Sequence, residues 1–221
     1  EGYAWLFVAW EVALMLVLAV ILARIVRLGG AGGDERVESM SNRLVLLSIG
    51  AALAIAFRFD LYPTVLVMVA LWSSLERRPV AAGIVIGLGV LAKLYPLALV
   101  PALAIPWLVP LDLGRLTRYG LAVGLSIVLV LVPFLAFAGS DTFAFLQYQA
   151  QRGLQVESIG GGLTLLLGLV SGHQAHVFYG FSSVEVSGPF ANAWLAGLQP
   201  ATGVGFGWVA WLGWGYGRAG F

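Results

Sequence analysis

Cysteine is absent from this 221-residue chain, and charge is scarce. Without a thiol there is neither a disulfide nor a thiolate-bound metal to consider. Asp, Glu, Lys and Arg together make up 10% of the residues, against about 25% in soluble domains. Hydrophobic residues make up 60%, the composition of an integral membrane protein. Histidine is nearly missing too: His173 and His176 stand three apart with no third ligand evident, and read as loop residues before they read as a metal site. There is no GxGxxG turn, no P-loop lysine, no Ser-His-Asp arrangement and no basic surface suited to nucleic acid. At the start there is no Met and no basic segment leading to a small-residue cleavage site. The chain is therefore expected to be a fragment of a longer membrane protein, open at both ends.

What is present is a succession of apolar runs. Tyr3 to Arg27 is long enough to span, since about 20 apolar residues cover the hydrocarbon core. Tyr3, Trp5 and Trp10 at its start match an interfacial aromatic belt. Residues 28–42 form a polar, Gly-rich loop, and further helices are expected at 44–57, 61–75, 79–92, 97–109 and 119–138. Glu76-Arg77-Arg78-Pro79 is a tight turn, and 111–118 a short loop. Several runs are short. Fourteen residues, as in 44–57, make about 21 Å of helix, under the roughly 30 Å core. Short, Pro-interrupted segments occur where broken backbone lines an enclosed cavity; local bilayer thinning is the alternative. Gly83, Gly87 and Gly89 predict close helix packing. Downstream, 141–152 suits a helix lying in the interface, and 159–170 a re-entrant or packed segment. Residues 172–192 look extended, with alternation in 177–181 and 184–186. A last helix, 193–216, is expected to break near Pro200. The fold class is an all-α polytopic membrane protein, one transmembrane domain over 1–221 with an outer-face loop region at 139–192.

Charge placement orients this chain. With the amino-terminal end outside, nine of the twelve Lys/Arg (24, 27, 36, 43, 77, 78, 115, 118 and, if 159–170 does not cross, 218) fall on the inner side, as the positive-inside rule requires. Arg58, Lys93 and Arg152 are left on the outer side with Asp60, Asp141, Glu157 and Glu185. Lone cations beside helix breaks, against the orientation bias, fit an anionic ligand in an outward cavity, because Arg forks and Lys point charges both hold phosphate. Their bland alternative is snorkelling to the interface.

The same residues carry a resemblance. Arg58-Phe59-Asp60-Leu61-Tyr62-Pro63, Glu76-Arg77-Arg78-Pro79-Val80-Ala81-Ala82-Gly83, Ala92-Lys93-Leu94-Tyr95-Pro96-Leu97 and Arg152-Gly153-Leu154-Gln155-Val156-Glu157-Ser158 resemble the polyprenyl-phosphate-sugar-dependent glycosyltransferases of family 87, in the GT-C superfamily. The resemblance covers about residues 3 to 200. It implies a GT-C-like helical bundle with short broken helices, in a bacterial plasma membrane. The implied activity moves a sugar, mannose or a similar hexose, from a polyprenyl-phosphate donor to a lipid-linked or glycan acceptor on the extracytoplasmic face. No cofactor is implied beyond that donor, and membrane lipid is the surrounding partner. The family's usual base, an Asp in the first outer loop, is expected upstream of this chain.

Such chemistry needs a base for the acceptor hydroxyl and positive groups for the departing phosphate. Arg58, Lys93 and Arg152 are the phosphate candidates, and Tyr95 and Gln155 further substrate contacts. Asp60 and Glu157 are the candidate acids, with an Arg58/Asp60 or Lys93/Asp60 neutralising pair as the alternative for Asp60. Gln155 and Glu157 alternatively cap the following segment. If one phosphate explains the three cations, Arg58, Lys93 and Arg152 converge on one cavity. The competing function class is a transporter or flippase module for an anionic lipid or lipid-linked sugar, which inverted repeats would favour. The Tyr62-Pro63 and Tyr95-Pro96 turns do repeat, but the segments around them do not match.

Overall fold

The computed structural model describes residues 2–28, 33–50, 59–172, 174–180 and 183–218. It is mostly helical. Packing divides the chain into two compact units, residues 1–130 with 210–221, and residues 131–209.

The first unit opens with α1 (Gly2–Leu28) and α2 (Gly33–Gly50). Here the expected polar loop at 28–42 is corrected, because the helix begins at Gly33. Asp34 and Glu35 occupy its first turn, where acids complement the helix dipole. Val37, Met40 and Leu44 recur at helical spacing and line a seam with Ala19, Leu22 and Val26 of α1. Next come α3 (Leu61–Leu75) and α4 (Pro79–Ala92), at the bounds their apolar runs predict. The turn between them is tight because Arg77 adopts φ 57° and the Arg78 N–H reaches the Ser73 carbonyl at 2.9 Å.

The expected continuous helix at 97–109 is broken into a 3₁₀ turn (Tyr95–Leu99), α5 (Val100–Leu103) and α6 (Ile105–Leu108). Pro96, Pro101 and Pro106 sit five apart, and each removes a backbone donor and clashes with the preceding turn. Helix α7 (Leu113–Ala138) starts earlier than Tyr119, because Asp112 Oδ1 accepts from the Arg115 N–H at 2.9 Å and caps it. The core joins Ala70, Ala82, Ile86, Leu103, Trp107, Tyr119 and Val123. Small residues let these helices touch: a Cβ on Gly83 would lie 2.6 Å from the Tyr119 carbonyl oxygen, and one on Gly87 would overlap Ser126 Oγ.

The second unit contains a 3₁₀ turn (Gly139–Phe143), α8 (Ala144–Gln151), β1 (Leu154–Gln155), α9 (Ile159–Ser171), β2 (His176–Gly180) and β3 (Ser183–Ser187). The strands form an antiparallel sheet in the order β1-β3-β2, so the extended, alternating stretch of the sequence is a hairpin. Ser158 caps α9, accepting from the Gly161 N–H at 2.9 Å. Any side chain at Gly161 would overlap the Gln155 carbonyl, which holds α9 tight on β1. Helix α10 (Pro189–Arg218) begins before the expected Ala193, with Pro189 in its first turn. It continues through Pro200, so the expected break there is corrected; a proline inside a long helix costs a hydrogen bond and bends it without ending it.

Candidate functional site

Contacts within the first unit fix which helix ends coincide. The Trp10 and Tyr62 rings lie 6.4 Å apart, and the Arg24 guanidinium stacks 4.9 Å from the Trp72 ring, so α1 and α3 run parallel. Thr64 Oγ1 lies 3.4 Å from the Tyr95 hydroxyl, Ser74 Oγ donates to the Leu103 carbonyl at 2.5 Å, and Arg77 Nη1 donates to the Pro106 carbonyl at 2.9 Å. Residues 95–108 therefore follow α3. Gly83 and Gly87 meet Tyr119 and Ser126 in turn, so α4 and α7 are also parallel. One end of the unit gathers Trp10, Phe59, Asp60, Tyr62, Thr64, Lys93 and Tyr95. The other gathers Arg24, Arg77, Arg78 and Arg118.

At the first end, Lys93 Nζ contacts Asp60 Oδ1, across 33 residues of sequence. Lys93 directly follows α4 with extended backbone, and Asp60 directly precedes α3, so the hairpin brings the two together. The Thr64 hydroxyl donates to the Asp60 carbonyl at 2.8 Å and anchors that first turn. The Lys93 and Asp60 side chains remain 42% and 47% exposed, so their attraction is screened and worth less than about 1 kcal/mol. A pair this open leaves both groups accessible to a ligand. Phe59 and Tyr62, with rings 5.4 Å apart, supply apolar faces beside it. Helix α1 continues from Trp10 back to Gly2, about 12 Å at 1.5 Å per residue, so the site lies below the end of α1.

Of the expected site residues, the structure thus brings together Asp60, Lys93 and Tyr95. Arg58 lies outside the described residues. Arg152, Gln155 and Glu157 belong to the second unit. There, the Arg152 guanidinium stands 5.9 Å from the Tyr148 ring, within cation–π range. Its Nε is buried with no hydrogen-bond partner among the described residues. Gln155 pairs with Glu185 across β1 and β3, and its carbonyl takes the Ser158 hydroxyl at 2.7 Å. The cap of α9 is therefore Ser158, in place of Gln155 or Glu157; Glu157 is exposed. His176 starts β2, and His173 lies outside the described residues.

Three residues acquire significance only here. Thr64 is the first. Glu185 is the second: it is 1% exposed, and its two oxygens accept from the Gly153 N–H and the Ser183 hydroxyl, each at 3.2 Å. Val184 is exposed while Glu185 and Val186 are both covered, so alternation alone does not place it. Glu11 is the third. It is 2% exposed, on the stripe with Leu14, Leu18 and Ile21. Neither of its carboxyl oxygens has a partner among the described residues.

No protein-family model, no curated protein and no solved structure matches this chain. Among the described residues, two helical stretches, Gly2–Leu28 and Leu113–Tyr148, are long and apolar enough to cross a membrane.

Proposed function

We propose that this chain is a multi-pass membrane glycosyltransferase that uses a polyprenyl-phosphate sugar, with Lys93 and Asp60 at its donor site on the extracytoplasmic side. One observation carries the reading. Two opposite charges far apart in sequence meet, half exposed, at the end of the first unit remote from Arg24, Arg77, Arg78 and Arg118. Under the positive-inside rule the arginine end is cytoplasmic and the Asp60–Lys93 end faces outward.

The chemistry follows from what these groups do. Transfer breaks the bond between the sugar's anomeric carbon and the phosphate oxygen, and forms one to the acceptor hydroxyl, whose proton leaves to a base. The electron pair of the broken bond stays on the lipid phosphate. Lys93 stabilises that charge as it develops, a large effect at low dielectric. Because the ion pair is weak, a phosphate displaces Asp60 from Lys93 with little loss and turns its carboxylate toward sugar or acceptor hydroxyls. Arg58, Arg152, Gln155 and Glu157 stay substrate candidates on the resemblance alone; Arg58 lies outside the described residues and the other three belong to the second unit.

Membranes containing the chain, given labelled polyprenyl-phosphate mannose, test it. Label should enter a lipid-linked or glycan product slowly, with Asp60 or Glu157 as the base, and Lys93→Met should reduce that transfer. Movement of the intact donor across the bilayer without transfer would support a flippase instead, and no effect on either would overturn the reading.

A further inference from the structure

The end of the first unit remote from Lys93 holds a second feature. Between α4 and α7 runs an apolar groove of about 550 Å³, walled by Ile84 and Leu88 on one side and Leu121, Leu125 and Leu129 on the other. Its floor is closed by the contact of Gly83 and Gly87 with α7. Arg118 lines its arginine-end mouth. From Arg118 to Leu129 the groove follows about 16 Å of helix.

Arg118 is exposed, and has no ion pair or hydrogen bond among the described residues. The two acids flanking these helices are already engaged: Glu76 with Arg78 at 3.1 Å, and Asp112 with Arg115 at 3.4 Å. Arg77, Arg78, Arg115 and Arg118, at the starts of α4 and α7, thus stand against two carboxylates, and this end of the helix pair carries excess positive charge. The pattern recurs independently at the same end. A groove of about 410 Å³ between α1 and α3, lined by Leu16, Val20, Val69 and Trp72, also ends at a single arginine, Arg24.

We infer that the α4–α7 groove holds an acyl chain of an anionic phospholipid, with the phosphate on Arg118. The apolar walls match hydrocarbon, and an arginine at the headgroup end binds phosphate through its forked donors. The excess positive charge selects a headgroup of net negative charge over a zwitterionic one. This site is separate from the proposed donor site and stands whether or not the chain transfers sugar.

Native mass spectrometry of the purified chain, equilibrated with equal amounts of phosphatidylglycerol and phosphatidylcholine, reads it out. The chain should retain phosphatidylglycerol preferentially. Arg118→Gln should lower that preference about fivefold, and Leu125→Trp, which fills the groove, should lower retention of both lipids. Arg118→Lys keeps the charge, so it should keep most of the preference; loss of the preference in Arg118→Lys at unchanged thermal stability would overturn the assignment. Equal retention of the two lipids by the unaltered chain would also overturn it. So would displacement of phosphatidylglycerol by polyprenyl phosphate at matched concentration.

Discussion

Asp60 and Lys93 stood out in the sequence because charges between apolar runs are few, and their contact is one of the two pairings expected for Asp60; the register of the α3–α4 hairpin makes it. Both side chains being nearly half exposed, Lys93→Met should change thermal stability by less than about 1 kcal/mol. A larger loss would mean that the pair is structural. Glu11 poses the opposite case. A buried carboxyl with no partner costs stability whether it ionises or not. Glu11→Leu should therefore stabilise the chain by about 1–3 kcal/mol, raising Tm by roughly 2–4 °C for each kcal/mol in a chain of this size. A fall in Tm would show that the carboxyl makes an interaction that holds the fold. Glu185 was harder to see. An acid alternating with valines reads as an exposed position, and only the β1-β3-β2 order covers it.

At the scale of elements, apolar runs located α1, α3 and α4 closely, because their boundaries are marked by charged or proline-bearing turns. The polar start of α2 was missed for a physical reason. Its helix is held by one narrow stripe, Val37, Met40 and Leu44, against α1, which composition averages away. Prolines misled in both directions. Three of them five apart fragment 95–108, whereas the single Pro200 leaves α10 helical. The glycine pattern of α4 did foretell close packing, and it can be tested against a glycine that packs nothing. Gly87→Val should destabilise by about 1–3 kcal/mol or more through overpacking, because its Cβ would overlap Ser126. Gly120→Ala, with open space around it, should be neutral or stabilising by up to about 1 kcal/mol. Thermal unfolding followed by circular dichroism separates the two; equal effects would contradict the α4–α7 contact.

For the whole molecule, the arrangement of charge is the organising fact. The first unit carries arginines at one end and the Asp60–Lys93 pair at the other. If that axis crosses a membrane, cysteines introduced by Leu111→Cys and Phe59→Cys, at residues 63% and 50% exposed, should label from opposite sides of intact cells. Labelling of both from one side would remove the outward donor site. The expected convergence of Arg58, Lys93 and Arg152 rests on the chemistry of phosphate: Arg58 lies outside the described residues, and Lys93 and Arg152 belong to different units.

Donor binding is the most direct test of the central claim. The affinity of the purified chain for a polyprenyl-phosphate sugar should fall roughly tenfold or more in Lys93→Met, the loss of one charge-assisted contact. Asp60→Asn, which removes the competing carboxylate charge, should leave phosphate binding intact or tighten it. Equal affinity in the unaltered chain and Lys93→Met would contradict a donor site at this pair.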